Sequence, residues 1–318
     1  MWNYVISHFK QFLGELNLDP ATRQDGEAKA QRVARSLFTN YYPNRIFDPC
    51  CYSIVGSYAK GTAAKPRTDI DMIFVIPKEE FPRINALSGN KQSQLLQEVK
   101  RSLLQTFPLT DIRGDGPVVK VPFSTYYFEV VPVFDRQDGS FANAHTKRGG
   151  YWGYTHPAAE VDWLRKIDAQ TMDKASHLVK MLKAWKRECN VKIRSICLEV
   201  AATCFLDQWI YKDKTIYFYD WMVRDFFAYL SSLVNGSIKP AGIAEWIPLG
   251  DCWHSKCQSA YVRALKACDY EHADQSTLAI AEWQKIFGPQ FKYGSLLETL
   301  MAAQFSNATS QFGTQTQA

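Results

Sequence analysis

Residues 51 to 77 read CYSIVGSYAKGTAAKPRTDIDMIFVIP. The short apolar run Tyr52 to Val55 predicts a strand that ends on a small-residue turn, Gly56-Ser57. A second apolar run, Ile70 to Ile76, predicts another strand with Asp69 and Asp71 at its start. Side chains two apart on a strand project from one face, roughly 7 Å apart along the chain. Two carboxylates aimed the same way repel unless a cation sits between them, and hard divalent ions such as Mg²⁺ take carboxylate and phosphate oxygens. A third acid stands in residues 126–134, YYFEVVPVF, where Glu129 is alone in an apolar strand. Each piece is ordinary by itself. Gly-Ser turns are common, an Asp-Ile-Asp at a strand start is most often a solvated strand end, and a strand glutamate usually faces water. The conjunction of all of them points to a catalytic acid set.

The bulk properties fit that reading. The chain has 318 residues, 46% of them hydrophobic, enough for one large or two coupled domains. Charged residues make up 22% and the net charge is +5. This mildly basic balance suits a polyanionic nucleotide and falls short of a dedicated nucleic-acid binder, so no long nucleic-acid site is expected. No run of about 18 uncharged apolar residues occurs, so no membrane span is expected. The most apolar stretch, Tyr217 to Val234, carries Asp220, Arg224 and Asp225. The start lacks the basic-then-apolar layout of a signal peptide. Eight irregularly spaced cysteines, with Cys50 and Cys51 adjacent, predict reduced thiols in a cytoplasm rather than a disulfide framework. Cys252, His254 and Cys257 crowd together without a partner pair at zinc spacing, and read as structural thiols and a surface histidine.

Periodicity places the elements. Trp2, Val5, Ile6, Phe9, Phe12, Leu13 and Leu16 recur at helical spacing, Asp19-Pro20 opens a second helix over 21–42, and a third runs over 91–106. Val118 to Phe123 and Ser124 to Phe134 read as a strand pair. Residues 135–157, with Gly139, Gly149, Gly150, Gly153 and Pro157, read as a loop and the lobe boundary. Beyond it six helices are expected, over 161–164, 172–189, 194–209, 220–234, 255–273 and 275–287. Trp246 and Trp283 read as packing residues. The expected organisation is an α/β lobe with N-terminal helices over 1–150, a helical lobe over 151–304, and a polar, disordered tail over 305–318.

The series G-S-x-x-x-G-T at 56–62, D-I-D at 69–71 and E-V-V-P at 129–132 resembles the polymerase-β-like nucleotidyltransferases. Within them it is most similar to the bacterial relatives of cyclic GMP-AMP synthase and oligoadenylate synthetase, the CD-NTases of anti-phage defence. The resemblance extends from about residue 20 to about residue 292. It implies a cytoplasmic bacterial enzyme that joins ATP, GTP or both into a cyclic oligonucleotide. The product would activate a separate effector protein. A companion ligase acting on the C-terminus, Ala318, is a further partner that the family offers.

Such chemistry is an in-line attack of a hydroxyl on the α-phosphorus with pyrophosphate leaving, served by two Mg²⁺ ions, or Mn²⁺ in their place, about 4 Å apart. The resemblance gives Asp69, Asp71 and Glu129 the metals. The family often has aspartate at the third place, so Glu129 is one methylene longer, and Asp135 is its competitor. Gly56 and Ser57 would meet the β- or γ-phosphate, with Lys60 and Thr62 flanking them. In 178–187, LVKMLKAWKR, the stripe Leu178, Met181, Leu182 and Trp185 is core, while Lys180, Lys183, Lys186 and Arg187 lie off it. Lys183 matches the family's triphosphate-binding lysine, and Ser195 its serine. Animal relatives often have an aromatic after that serine to stack on the base; here it is Ile196. Two other functions stay open: nucleotide addition to an RNA end or a small-molecule acceptor, and an inactive nucleotide-binding scaffold.

Overall fold

The N-terminal helix α1 (Val5–Leu16) buries Val5, Phe9, Phe12, Leu13 and Leu16 along one side, as its spacing predicts. The structure, a computed structural model, describes residues 4–66, 69–124, 126–215, 218–243 and 245–292. Trp2 and the tail from Phe305 lie outside the described residues. Asp19 caps α2 (Pro20–Tyr41): its carboxylate accepts from the Thr22 N–H at 2.8 Å, and Pro20 sits where a helix needs no donor.

A turn of 3-10 helix leads to β1 (Tyr52–Ile54), α3 (Gly56–Ala59), β2 (Asp69–Val75), α4 (Glu80–Asn85) and α5 (Lys91–Thr106). Then come β3 (Arg113–Asp115), β4 (Val118–Pro122), β5 (Tyr127–Asp135), β6 (Phe141–His145) and β7 (Tyr151–Thr155). The remainder is mostly helical: α6 (Pro157–Thr171), α7 (Lys174–Glu188), α8 (Ser195–Gln208), α9 (Tyr219–Ser232), a small β8 (Ser237–Ile238) and β9 (Ile247–Pro248) ribbon, α10 (His254–His272) and α11 (Ser276–Phe287). No helix among the described residues is long and apolar enough to cross a membrane.

The strands β1 to β7 form one seven-stranded sheet in the order β1-β2-β5-β4-β3, with β6 joined to β5 and β7 to β6. Only β2 and β5 are parallel; the other pairs are antiparallel. Strand alternation gives the sheet two unlike faces. Ile70, Met72, Phe74, Phe128, Val130 and Phe134 are buried under Val33 and Leu37 of α2 and Leu95, Val99 and Leu103 of α5. Each such side chain contributes about 2 kcal/mol. The opposite face carries Asp69, Asp71, Tyr127, Glu129 and Val131, all partly or largely exposed.

The chain forms two units. One holds the sheet and spans Leu18–Arg165 with Pro240–Glu245; the other is helical and holds α1, α7 to α11 and the small ribbon. Three expectations change. α1 groups with the helical unit rather than with the sheet, because Phe9 meets Trp283 and Phe291 edge-on at 5.4 and 5.2 Å and Phe12 lies 4.8 Å from Phe287. The stretch 135–157 is not a loop. It holds the β6–β7 hairpin, and its glycines make the turns: Gly139, Gly149 and Gly150 all have positive φ. Similarly, α7 starts at Lys174 rather than residue 172, since Met172 and Asp173 both take left-handed backbone.

Candidate active site

The parallel register of β2 and β5 sets Asp71 directly beside Glu129, and Asp69 beside Tyr127. Asp69, Asp71 and Glu129 therefore share one face of the sheet, the face left open by α2 and α5. Three carboxylates are hard oxygen donors of the kind Mg²⁺ takes, so the chemistry of the set fits a divalent ion. Glu129 is also engaged by a cation. Lys120 is its antiparallel neighbour on β4, with the ammonium 3.6 Å from Glu129 and 2.8 Å from Asp115. The hydrogen bond to Asp115, with Glu129 adding to it, raises the Lys120 pKa. Among the described residues no three acid, histidine or cysteine side chains stand within reach of a single ion.

Gly56 closes the turn against this face. Its φ is +62°, a conformation that favours glycine, and a Cβ there would stand 2.2 Å from the Asp71 carboxylate. Backbone of the turn and carboxylate are thus in direct contact, and the Val55 N–H donates to the Asp71 carbonyl at 2.8 Å. The Ser57 carbonyl accepts from Thr62 and Ala63, at 2.9 and 3.0 Å, which folds the loop back on itself. Lys60 is not a solvated residue. It is 9% exposed and paired with Glu160 of α6 at 2.9 Å.

Lys183 and Ser195 belong to the helical unit and line one cavity of about 730 Å³ there. The same cavity takes in Lys186, Arg187, Lys192 and Arg194, five cations in all with Lys183. Lys186 donates to the Ser195 hydroxyl at 3.0 Å, and burial pulls its pKa down. The expected core stripe Leu178, Met181, Leu182 and Trp185 is fully buried beneath. Lys120 and Lys186 are the two cations that sequence reading did not connect to Glu129 and Ser195. Neither contact leaves a local signal, since each joins residues from separate elements.

Asp135 ends β5 exposed and accepts from its own turn, the Gln137 N–H at 2.8 Å. Of the zinc-like group, Cys257 is buried and donates to the Phe227 carbonyl, His254 is 2.9 Å from the Ser231 hydroxyl, and Cys252 is exposed. All eight cysteines are free thiols. Trp283 is core, but Trp246 is 64% exposed and so is not the packing residue its sequence suggests. It lies just ahead of the two-residue strand β9, too short to fold a sheet over it.

Comparison with known proteins agrees with this architecture. The model of the Second Messenger Oligonucleotide or Dinucleotide Synthetase domain matches residues 4–168. A probable cyclic nucleotide synthase of Bacillus cereus (strain VD146) is 22% identical over 270 residues, covering 74% of this chain and 80% of that protein. Among solved structures, Vibrio cholerae DncV cyclic AMP-GMP synthase in complex with the linear intermediate 5′ pppA(3′,5′)pG is similar with a TM-score of 0.72 at 12% identity, covering 92% of this chain and 97% of that one. Escherichia coli MS115-1 CdnC, in its complex with HORMA-deltaN, is similar with a TM-score of 0.66 at 20% identity, covering 91% and 98%. The fold and the family define a nucleotidyltransferase on a polymerase-β-like sheet. The chain belongs to the second messenger oligonucleotide or dinucleotide synthetase family, the CD-NTases, whose enzymes are in general dependent on divalent metal.

Proposed function

We propose that this enzyme joins ATP, GTP or both into a purine-containing cyclic di- or trinucleotide such as cyclic GMP-AMP. The product acts as a second messenger in anti-phage defence by activating a separate effector protein. The observation that carries the proposal is the parallel register that puts Asp71 beside Glu129 with Asp69 on the same face. Asp69, Asp71 and Glu129 would hold Mg²⁺, which when bound neutralises phosphate charge and makes the attacking hydroxyl more acidic. Glu129 has the extra methylene to leave Lys120 and turn to the acids on β2. Gly56 and Ser57 offer backbone N–H groups and a hydroxyl to the β- and γ-phosphates. Lys183 and Ser195 bind the triphosphate, in a cavity whose cations match its charge. A ribose hydroxyl forms the new bond to the α-phosphorus, and the bond to pyrophosphate breaks. By analogy with the linear intermediate in the DncV complex, a linear dinucleotide bearing a 5′-triphosphate forms first and is then closed.

The test is incubation of the purified protein with Mg²⁺ and labelled ATP, GTP and both, followed by phosphatase treatment and mass spectrometry. A phosphatase-resistant cyclic product is expected, and its loss by at least about a hundredfold in Asp71→Asn, which removes one ligand charge from an electrostatically driven site. A parallel arm with short RNA discriminates the tailing reading: RNA extension without any small cyclic product would replace the proposal. Nucleotide binding with no turnover under either Mg²⁺ or Mn²⁺ would point to the scaffold reading instead.

A further inference from the structure

The turn that carries Ser57 is too short to hold its own shape. α3 is four residues long, and one isolated turn of helix gains too few backbone bonds to offset the entropy of ordering it. Its shape therefore comes from what it is tied to, and it has ties to three other elements. At its start, Gly56 lies against β2, where a Cβ would overlap the Asp71 carboxylate. In its middle, Tyr58 is buried and its hydroxyl donates to the Arg23 carbonyl of α2 at 2.7 Å. At its end, Lys60 donates twice. Its backbone N–H goes to the Gly56 carbonyl at 3.1 Å, and its ammonium to the Glu160 carboxylate of α6 at 2.9 Å. Ser57, between these ties, stays partly exposed.

The tie to α6 is the charged one. The Lys60 side chain is 4% exposed and that of Glu160 is 18%, so the pair is largely out of water, where removing one partner strands the other. Glu160 is itself held in place. It sits in the first turn of α6, where the helix N-terminus favours a negative charge. That turn is fixed in its own right by the Ala159 N–H, which donates to His156 Nδ1 at 3.2 Å. The Lys60 ammonium is thus balanced by a carboxylate on a fixed helix, and what the lysine supplies to the turn is position rather than charge. A turn already in its bound shape gives up less free energy to ordering when an anion settles on it.

We propose that Glu160 is a positioning residue of the nucleotidyl-transfer site: through Lys60 it fixes α3 in the shape that presents Ser57 to the triphosphate. The proposal rests on the nucleotidyl-transfer reading above. Positioning and direct phosphate contact by Lys60 predict opposite signs. If Glu160 positions the turn, neutralising it loosens the turn and weakens phosphate binding. If Lys60 is a phosphate ligand that Glu160 sequesters, neutralising Glu160 frees the ammonium and tightens binding.

Calorimetric titration of the full chain with a non-hydrolysable ATP analogue in Mg²⁺ reads that sign, and initial rates of product formation separate KM from kcat. Glu160→Gln, which is nearly isosteric, is expected to weaken analogue binding on the order of tenfold, the scale of one lost hydrogen bond to a charged group. KM for ATP is expected to rise by a similar factor, with a smaller change in kcat. Glu160→Asp, which keeps the charge, is expected to retain more of the affinity. In a Ser57→Ala background Glu160→Gln is expected to cost a smaller factor, because residues that act through one group couple, whereas a general loss of stability costs the same in both backgrounds. Glu160→Asp takes its place in this cycle where Glu160→Gln does not fold. Unchanged or tighter binding in Glu160→Gln, or an equal factor with and without Ser57→Ala, overturns the proposal. Ser57→Ala that binds as tightly as wild type removes Ser57 from the phosphate site and the proposal with it. Wild-type protein that binds no analogue overturns the nucleotidyl-transfer reading itself.

Discussion

Glu129 has a cation on one side and a carboxylate on the other. Lys120 and Asp71 flank it on neighbouring strands, and the ammonium already stands 3.6 Å away. A metal that uses Glu129 must compete with Lys120 for it. Lys120→Met is therefore expected to lower the Mg²⁺ concentration needed for half-maximal activity severalfold, read from a metal titration of product formation; a rise instead would assign Lys120 to phosphate binding.

Asp220 makes a second residue-scale case. It is buried at the start of α9, its Oδ2 has no hydrogen-bond partner, and burial pushes its pKa up to about 7, with Glu271 adding to the shift and Arg224 opposing it. A raised carboxyl pKa means that the folded state holds the proton. The resulting stability is fully present below the ordinary value of 3.8 and is lost as pH rises through about 7. Asp220→Asn removes the buried charge, so its stability advantage over wild type is expected to grow by on the order of 2 kcal/mol between about pH 5 and about pH 8. Thermal melts at the two pH values check this, and a difference independent of pH would contradict it.

At the scale of elements, the short helix α3 and its loop are fixed from a distance. Lys60, just after α3, reaches Glu160 in α6, with both side chains largely buried. Removing one member of such a pair strands the other charge, which costs about 3–5 kcal/mol, whereas replacing both by apolar groups costs far less. Lys60→Met alone is expected to lower the melting temperature strongly, and Lys60→Met with Glu160→Leu to recover much of it. The double variant being as unstable as the single one would show that the loop does not depend on the pair. Nothing local in GSYAKGT announces this contact, because its partner is 100 positions away. The hairpin was hidden for a different reason. FANAH and YWGYT are five-residue strands set among glycines, and the glycines look like loop until their turn geometry is seen. A Gly-Gly turn between two short aromatic-bearing runs is the signal that could have marked them.

At the scale of the whole molecule, the first helix is part of the helical unit's core. Phe9, Phe12 and Leu16 are buried, and His8 lies 3.4 Å from the buried Glu271 of α10. Deleting residues 1–17 is expected to destabilise the helical unit well before the sheet unit, seen as early loss of protection at α10 and α11 in hydrogen exchange. Uniform loss, or none, would argue against that assignment.

The local chemistry was readable from the chain by itself. Strand alternation sent Asp69 and Asp71 to one face, the apolar stripe of α7 made Leu178 and Trp185 core, and the order of motifs pointed to the family, because period and spacing are properties of neighbouring residues; that Glu129 joins that face was set by the register of β5 against β2. Which charges meet was decided only when the chain folded. Lys120 with Glu129, Lys60 with Glu160, Lys186 with Ser195, and His145 with Tyr151 each join segments whose approach is set by sheet order and helix packing, and no periodicity encodes a contact between elements.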